Sequence, residues 1–303
     1  MAKCAAMMLS ASKGGRSSNP RLAAGSQAPD YAGSVLTPGA FGDDLAAFFH
    51  ANQIATPIEG AVTVRLAESA KVARRRLVDA RFDQAPVMGE GRAVGWVATD
   101  DLRSHRTVRS AMIPLNDCTF VSAESSTASV LQLLPGNKFL FVVDKHGLSG
   151  FIVKSDLDRH AVRSYLYLLI AGVEMLLSEI VKYAVPDEEI IASIQSNLKK
   201  RFEQARAVNQ ETSPAEYLNI GELIALFVQT PYACDPRLWD EPLTDLLNRV
   251  KYFRNDVMHP TRSLAASEDI RAVANLPRWA AEVSGRLRSI AALLTGEPSP
   301  DST

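Results

Sequence analysis

Apolar residues recur at helical spacing through the second half of the chain. Val162, Tyr165, Leu166, Leu169, Val173, Leu176, Leu177 and Ile180 form one stripe, unbroken between Leu157 and Pro186. The spacing predicts a single stiff helix of about 30 residues. Ile190, Ile191, Ile194, Leu198 and Phe202 predict a second helix over 187–206. Asn219 and Glu222 have capping-box spacing and open a third, over 219–228. Leu243, Leu246, Leu247, Val250 and Phe253 form a fourth stripe, with Asp240 as its N-cap and Pro242 tolerated in the first turn. A long fifth helix is predicted over 267–294, kinked or broken at Pro277. A loop over 230–239 joins the third and fourth. These elements predict an all-α bundle over residues 160–294.

The first half carries an internal repeat. Val87-Met88-Gly89-Glu90-Gly91-Arg92-Ala93-Val94-Gly95-Trp96-Val97 aligns with Val142-Val143-Asp144-Lys145-His146-Gly147-Leu148-Ser149-Gly150-Phe151-Ile152. Asp101-Leu102 aligns with Asp156-Leu157 at the same offset of 55 residues. Each unit reads as strand, helix, hairpin, helix. The opening strands are predicted over 62–66 and 119–122, and the helices over 70–81 and 127–134. Gly91 and Gly147 fall at the hairpin turns, where positive φ is required. The repeats span roughly 55–105 and 110–160 within an α+β region of 42–160, and a short helix over 43–54 leads into them. Residues 1–41 are rich in Gly, Ser, Ala and Pro and predict a disordered tail, and 295–303 a loose one.

The densest chemistry lies in Arg254-Asn255-Asp256-Val257-Met258-His259-Pro260. Pro260 disfavours the α conformation at His259, so the helix should end there. Arg254 is a fixed cation suited to a phosphate oxygen, and Asn255 is a donor beside it. Imidazole is the side chain that exchanges protons near neutral pH, so His259 suits general acid–base work. Lys251 and Arg262 lie a turn to either side and suit flanking phosphates. The plainer alternative is a dipole-complementing pair at a helix end.

The repeat resembles a tandem pair of CBS motifs (cystathionine-β-synthase type). It rests on the two hairpins, with Val-x-x-x-Gly followed by a second Gly (Val87, Gly91 and Gly95; Val143, Gly147 and Gly150), and on their Asp-Leu endings. The resemblance implies an adenine-type nucleotide as regulatory ligand, with Asp101 and Asp156 on ribose. In that family a Thr or Ser three residues after the Gly contacts phosphate. Here those positions are Ala98 and Val153, and Thr99 and Ser155 are the nearest hydroxyls. The alternative makes both acids helix N-terminal residues.

The C-terminal region, through Arg254, Asn255, His259 and the first-helix residue Glu174, resembles a HEPN domain (higher eukaryotes and prokaryotes nucleotide-binding). That likeness implies a metal-independent endoribonuclease. The RNA 2′-hydroxyl would attack the adjacent phosphate and leave a 2′,3′-cyclic phosphate. It also implies a homodimer, and roles in stress response or phage defence. Glu174 would position Arg254, or form a simple interhelical salt bridge.

Composition narrows this picture. Apolar residues make up 47% and charged residues 22%, with a net charge of −1, which favours neither nucleic acid nor an anionic membrane overall. Residues 185–294 hold 13 Lys and Arg against 15 Asp and Glu, a net of −2, which speaks against long phosphate tracking and for a small single-stranded RNA target. No DNA partner is expected. Cys4, Cys118 and Cys234 lack metal or disulfide spacing, which fits a reducing cytoplasm. The apolar run from Tyr165 to Val181 contains Glu174 and Glu179 and is short for a bilayer, so no membrane partner is expected. Two functions remain. One is a nucleotide-sensing endoribonuclease with no catalytic cofactor or metal. The other is a non-catalytic, adenine-nucleotide-binding regulatory or dimerisation protein.

Overall fold

The computed structural model describes residues 48–208, 210, 212–234, 242–259, 261–266 and 270–295. The predicted tail over 1–41, the start of the leading helix and Asp240 lie outside the described residues, as does all but Thr295 of the C-terminal tail. Two compact units form. One combines Leu45–Tyr167 with Asp256–Asn275, and the other combines Leu168–Asn255 with Leu276–Thr303.

The first unit contains both repeats. A short helix α1 (Ala51–Ile54) and strand β1 (Thr56–Pro57) lead in. Repeat one is β2 (Val64–Arg65), α2 (Ala70–Asp79) and the hairpin β3 (Gln84–Gly89) and β4 (Arg92–Ala98), then a 3-10 turn Asp101–Arg103 and α3 (Val108–Ala111). Strand β5 (Ile113–Pro114) leads into repeat two. That repeat is β6 (Thr119–Ser122), α4 (Thr127–Leu133) and the hairpin β7 (Phe139–Asp144) and β8 (Gly147–Val153), then a 3-10 turn Lys154–Asp158. Each opening strand lies parallel to its hairpin, as the CBS-like α+β reading expects. Gly91 and Gly147 have φ of 80° and 112°, as the turns demand.

The lead strands are exchanged. The sheets run β2-β3-β4-β5 and β1-β8-β7-β6, so each repeat's hairpin is flanked by the other repeat's lead-in. Gly95 pairs with Pro114 and Gly150 with Pro57 in these joints. A Cβ on Gly95 would stand 2.2 Å from the Ile113 carbonyl oxygen, and one on Gly150 2.9 Å from that of Thr56. The second glycine of each hairpin is therefore set by close backbone approach, not by a turn. Gly95→Ala is expected to destabilise the fold by about 1–3 kcal/mol through overpacking. A melting temperature within a degree of the parent's would contradict this account of the joint. An aromatic stack also ties the repeats together, with Trp96 on Phe139 at 5.3 Å and Phe139 on Phe151 at 4.9 Å.

Two predicted helices begin or run differently. The apolar stripe starts at Leu157, but helix α5 is His160–Ala184. Arg159 is extended, at φ −66° and ψ 146°. The Asp156 carboxylate accepts from the Val153 amide and Arg159 Nε, which closes the preceding turn on itself. The predicted helix over 187–206 is two helices, α6 (Asp187–Ser193) and α7 (Ser196–Ala207). Ile194 and Gln195 between them are extended. Ser193 Oγ donates back to the Glu189 carbonyl, and the β-branched Ile190 and Ile191 are weak helix formers. The Gln195 carbonyl then accepts from the Leu198 and Lys199 amides and opens the new helix.

The remaining helices follow their patterns. Helix α8 (Ile220–Phe227) carries the predicted Asn219–Glu222 capping box. Helices α9 (Leu243–Met258) and α10 (Ile270–Thr295) complete the chain, and α10 continues through Pro277. The second unit buries Leu169, Val173, Leu177 and Ile180 of α5, Leu223 and Phe227 of α8, Leu246, Val250 and Phe253 of α9, and Val283 and Leu287 of α10. By length and composition α5 would also suit a membrane span, and half of its most apolar stretch is buried inside the protein.

Candidate functional site: a cleft between repeats and the Arg254–His259 segment

A cavity of about 730 Å³ opens in the first unit. Both repeats line it at matching positions. Repeat one supplies the end of α2 and the residues after it (Val78, Arg81, Phe82 and Asp83) and the residues after β4 (Thr99, Asp100 and Asp101). Repeat two supplies Leu134–Lys138 after α4 and Lys154 after β8. Arg81 takes the left-handed conformation, φ 60°, that ends α2. The wall also holds Arg74, Arg103 and Ile270.

Of the four predicted nucleotide contacts, Asp101 and Thr99 line this cavity and Asp156 and Ser155 do not. The exposed Asp101 carboxylate makes no hydrogen bond or ion pair among the described residues. Thr99 is buried, and its hydroxyl donates to the Phe82 carbonyl at 2.7 Å. It holds the wall in shape and keeps only acceptor capacity for a ligand. Asp156 is committed elsewhere. Its carboxylate takes the Val153 amide at 2.8 Å and Arg159 Nε at 2.7 Å, and the Thr56 hydroxyl at 3.4 Å. Burial pushes its pKa up, and those bonds offset the shift only in part. Ser155 is exposed.

In the helical unit, Arg254 Nε donates to Glu174 Oε1 at 2.9 Å, an ion pair between α9 and α5. Both side chains are partly exposed. Asn255 and Lys251 are exposed on α9. The helix ends at Met258, as the Pro predicts.

His259 belongs to the first unit, where its ring is exposed. Its backbone is gripped by a group the sequence did not single out. Arg163 is buried, and its guanidinium donates to the carbonyls of Asp256 (2.9 Å), His259 (3.4 Å) and Arg262. The same guanidinium meets Asp158 at 2.9 Å. Asp158 in turn accepts from the Leu264 amide at 2.6 Å and from Ser263 Oγ. Arg262, predicted to touch RNA, pairs with Asp256 at 2.9 Å and stays more than half exposed. Asp158 is the last residue of the turn whose first residue, Lys154, lines the cavity.

Other reactive groups are sparse. Burial and the neighbouring Asp117 push the Cys118 thiol up to about 11, which leaves it protonated and unreactive. No cluster of metal-binding side chains occurs among the described residues.

No family model matches this chain, and no curated protein matches it. Solved structures do match, in the repeat region. One is the CBS domain of a bacterial CNNM/CorC-family Mg2+ transporter in complex with ATP, 21% identical over 40% of this chain and 92% of that one, with a TM-score of 0.35. Another is CBSX2 in complex with AMP, 22% identical over 39% and 96%, with a TM-score of 0.33. A third is a hemolysin-like CBS-domain protein of Oenococcus oeni, 14% identical over 38% and 90%, with a TM-score of 0.33. The bound nucleotides belong to those proteins. None of these matches supports a HEPN identity for the helical region, which rests on the sequence motif alone.

Proposed function

We propose that this protein is a regulatory binder of adenine-type nucleotides, seated in the cleft between the repeats. One observation carries the reading. The cleft joins an unpaired carboxylate, Asp101, to five cationic side chains (Arg74, Arg81, Arg103, Lys138 and Lys154) over an apolar floor that includes Val78 and Leu134. A carboxylate suits ribose hydroxyls, cations suit phosphate, and apolar side chains suit a base.

Ligand binding to the folded state alone should raise the melting temperature. At a hundredfold excess over Kd the gain is about 2.7 kcal/mol, or several degrees. AMP, ADP and ATP titrated against the full chain test this by thermal shift and calorimetry. Asp101→Ala should weaken binding about tenfold. Absence of any shift at millimolar nucleotide would remove the reading.

A second reading adds metal-independent cleavage of RNA to a 2′,3′-cyclic phosphate, by a homodimer. Arg254 would hold the scissile phosphate, Asn255 would orient it, and His259 would transfer protons. What favours it is the Arg-Asn-x-x-x-His spacing together with the Glu174 hold on Arg254. Lys251 and Arg262 would flank the RNA. Its test is cleavage of an RNA pool in EDTA that Arg254→Ala and His259→Ala each remove. Retained nucleotide binding without RNA turnover leaves the regulatory function alone.

A further inference from the structure

The two repeats face the cleft with opposite chemistry at equivalent positions. In repeat one, β3 and β4 pair Gln84 with Ala98, and one step beyond lie Asp83 and Thr99. The Thr99 amide donates to the Asp83 carbonyl at 2.8 Å, which confirms the register. In repeat two, β7 and β8 pair Phe139 with Val153, so one step beyond lie Lys138 and Lys154. Two lysines thus flank the end of one antiparallel ladder. Both side chains are exposed, both line the cleft, and neither pairs with a carboxylate among the described residues. The acids on that wall are Asp83, Asp100 and Asp101, all from repeat one, and Asp100 is paired with Arg103.

We infer that Lys138 and Lys154 form an anion subsite that takes the phosphate groups of the bound ligand, with Asp101 taking its sugar. This rests on the nucleotide reading above and fixes the direction in which the ligand lies. It also accounts for the absent hydroxyls at Ala98 and Val153, because the two lysines supply a phosphate contact in their place, beside the arginines of repeat one. A ligand bearing two or more phosphates satisfies both ammonium groups, and adenosine satisfies neither.

The full chain is titrated calorimetrically with adenosine, AMP, ADP, ATP and pyrophosphate. Affinity should rise with phosphate number. Lys138→Met and Lys154→Met should each weaken ATP about fivefold to tenfold and leave adenosine within about twofold. The double variant should weaken ATP further than either single change and should reduce the salt dependence of binding. Both variants expose their side chains, so unchanged melting temperatures serve as the folding control. ATP affinity unchanged in both lysine variants but reduced in Asp101→Ala overturns the subsite and leaves the nucleotide reading standing. No binding of any nucleotide or of pyrophosphate by the parent protein removes both. Pyrophosphate binding that depends on both lysines, without nucleotide binding, supports the anion subsite and removes only the base and sugar assignment.

Discussion

Arg163→Met is expected to lower the stability of the folded protein by about 3 kcal/mol, the largest effect of any single change considered. The guanidinium is 8% exposed and Asp158 is 34% exposed, so the pair sits at the margin of the interior. Removing the cation leaves the Asp158 carboxylate with only the Leu264 amide and Ser263 hydroxyl. It also takes a donor from three carbonyls, those of Asp256, His259 and Arg262, of which that of His259 keeps the Arg262 amide. An acceptor left without its donor at the margin of the interior costs at least what an ordinary hydrogen bond contributes. For a unit of this size the melting temperature should fall by about 6–12 °C. Arg163→Lys keeps the charge but reaches fewer acceptors, so it should fall between the two. Denaturant melts of the three proteins decide it. A loss below about 1 kcal/mol in Arg163→Met would show that the carbonyls find solvent instead, and the clamp would be incidental.

The second large effect concerns RNA. If the Arg254–His259 segment cuts RNA, His259→Ala should slow cleavage in EDTA by about 100-fold or more, the usual contribution of a general acid or base. Arg254→Ala should cost a similar factor, because a charge aimed at a developing oxyanion acts mainly in the transition state. Glu174→Gln keeps the shape but weakens the hold on Arg254 Nε, so a milder loss of about tenfold is expected. The product should carry a 2′,3′-cyclic phosphate. Cleavage at parent rates in both Ala variants would trace to a contaminant and end the nuclease reading.

Much of this was legible because a repeat doubles the signal. The turn glycines Gly91 and Gly147 stood out in sequence, and their positive φ follows from the loop geometry. The stripes of α5 and α9 were legible because buried apolar contacts fix the helical phase. The Arg254–Glu174 pair forms as an interhelical salt bridge, which both readings open for Glu174 expect. The offset of 55 residues also held unused information. It places Lys154 opposite Thr99 and Lys138 opposite Asp83, so the uneven charge of the cleft was written in the alignment.

Other features left no local mark. Arg163 looks like one more polar residue on a long helix, and its acceptors are main-chain carbonyls about 95 residues away. A carbonyl is identical in every residue type, so no pattern announces it. The breaks at Arg159 and at Ile194 were missed for a related reason. Periodicity of apolar residues reports burial, and burial persists across a one- or two-residue interruption of the backbone.

The exchanged lead strands carry a practical consequence for anyone dissecting the chain. A fragment that starts at Ile113 would lack β1 and leave β8 bare along one side. Its complement, ending before Ile113, would leave β4 in the same state. Exposed ladders of that kind recruit strands from other molecules. Half-length pieces should therefore come out of expression as aggregates or as intertwined pairs, and mixing the halves should restore a well-behaved species.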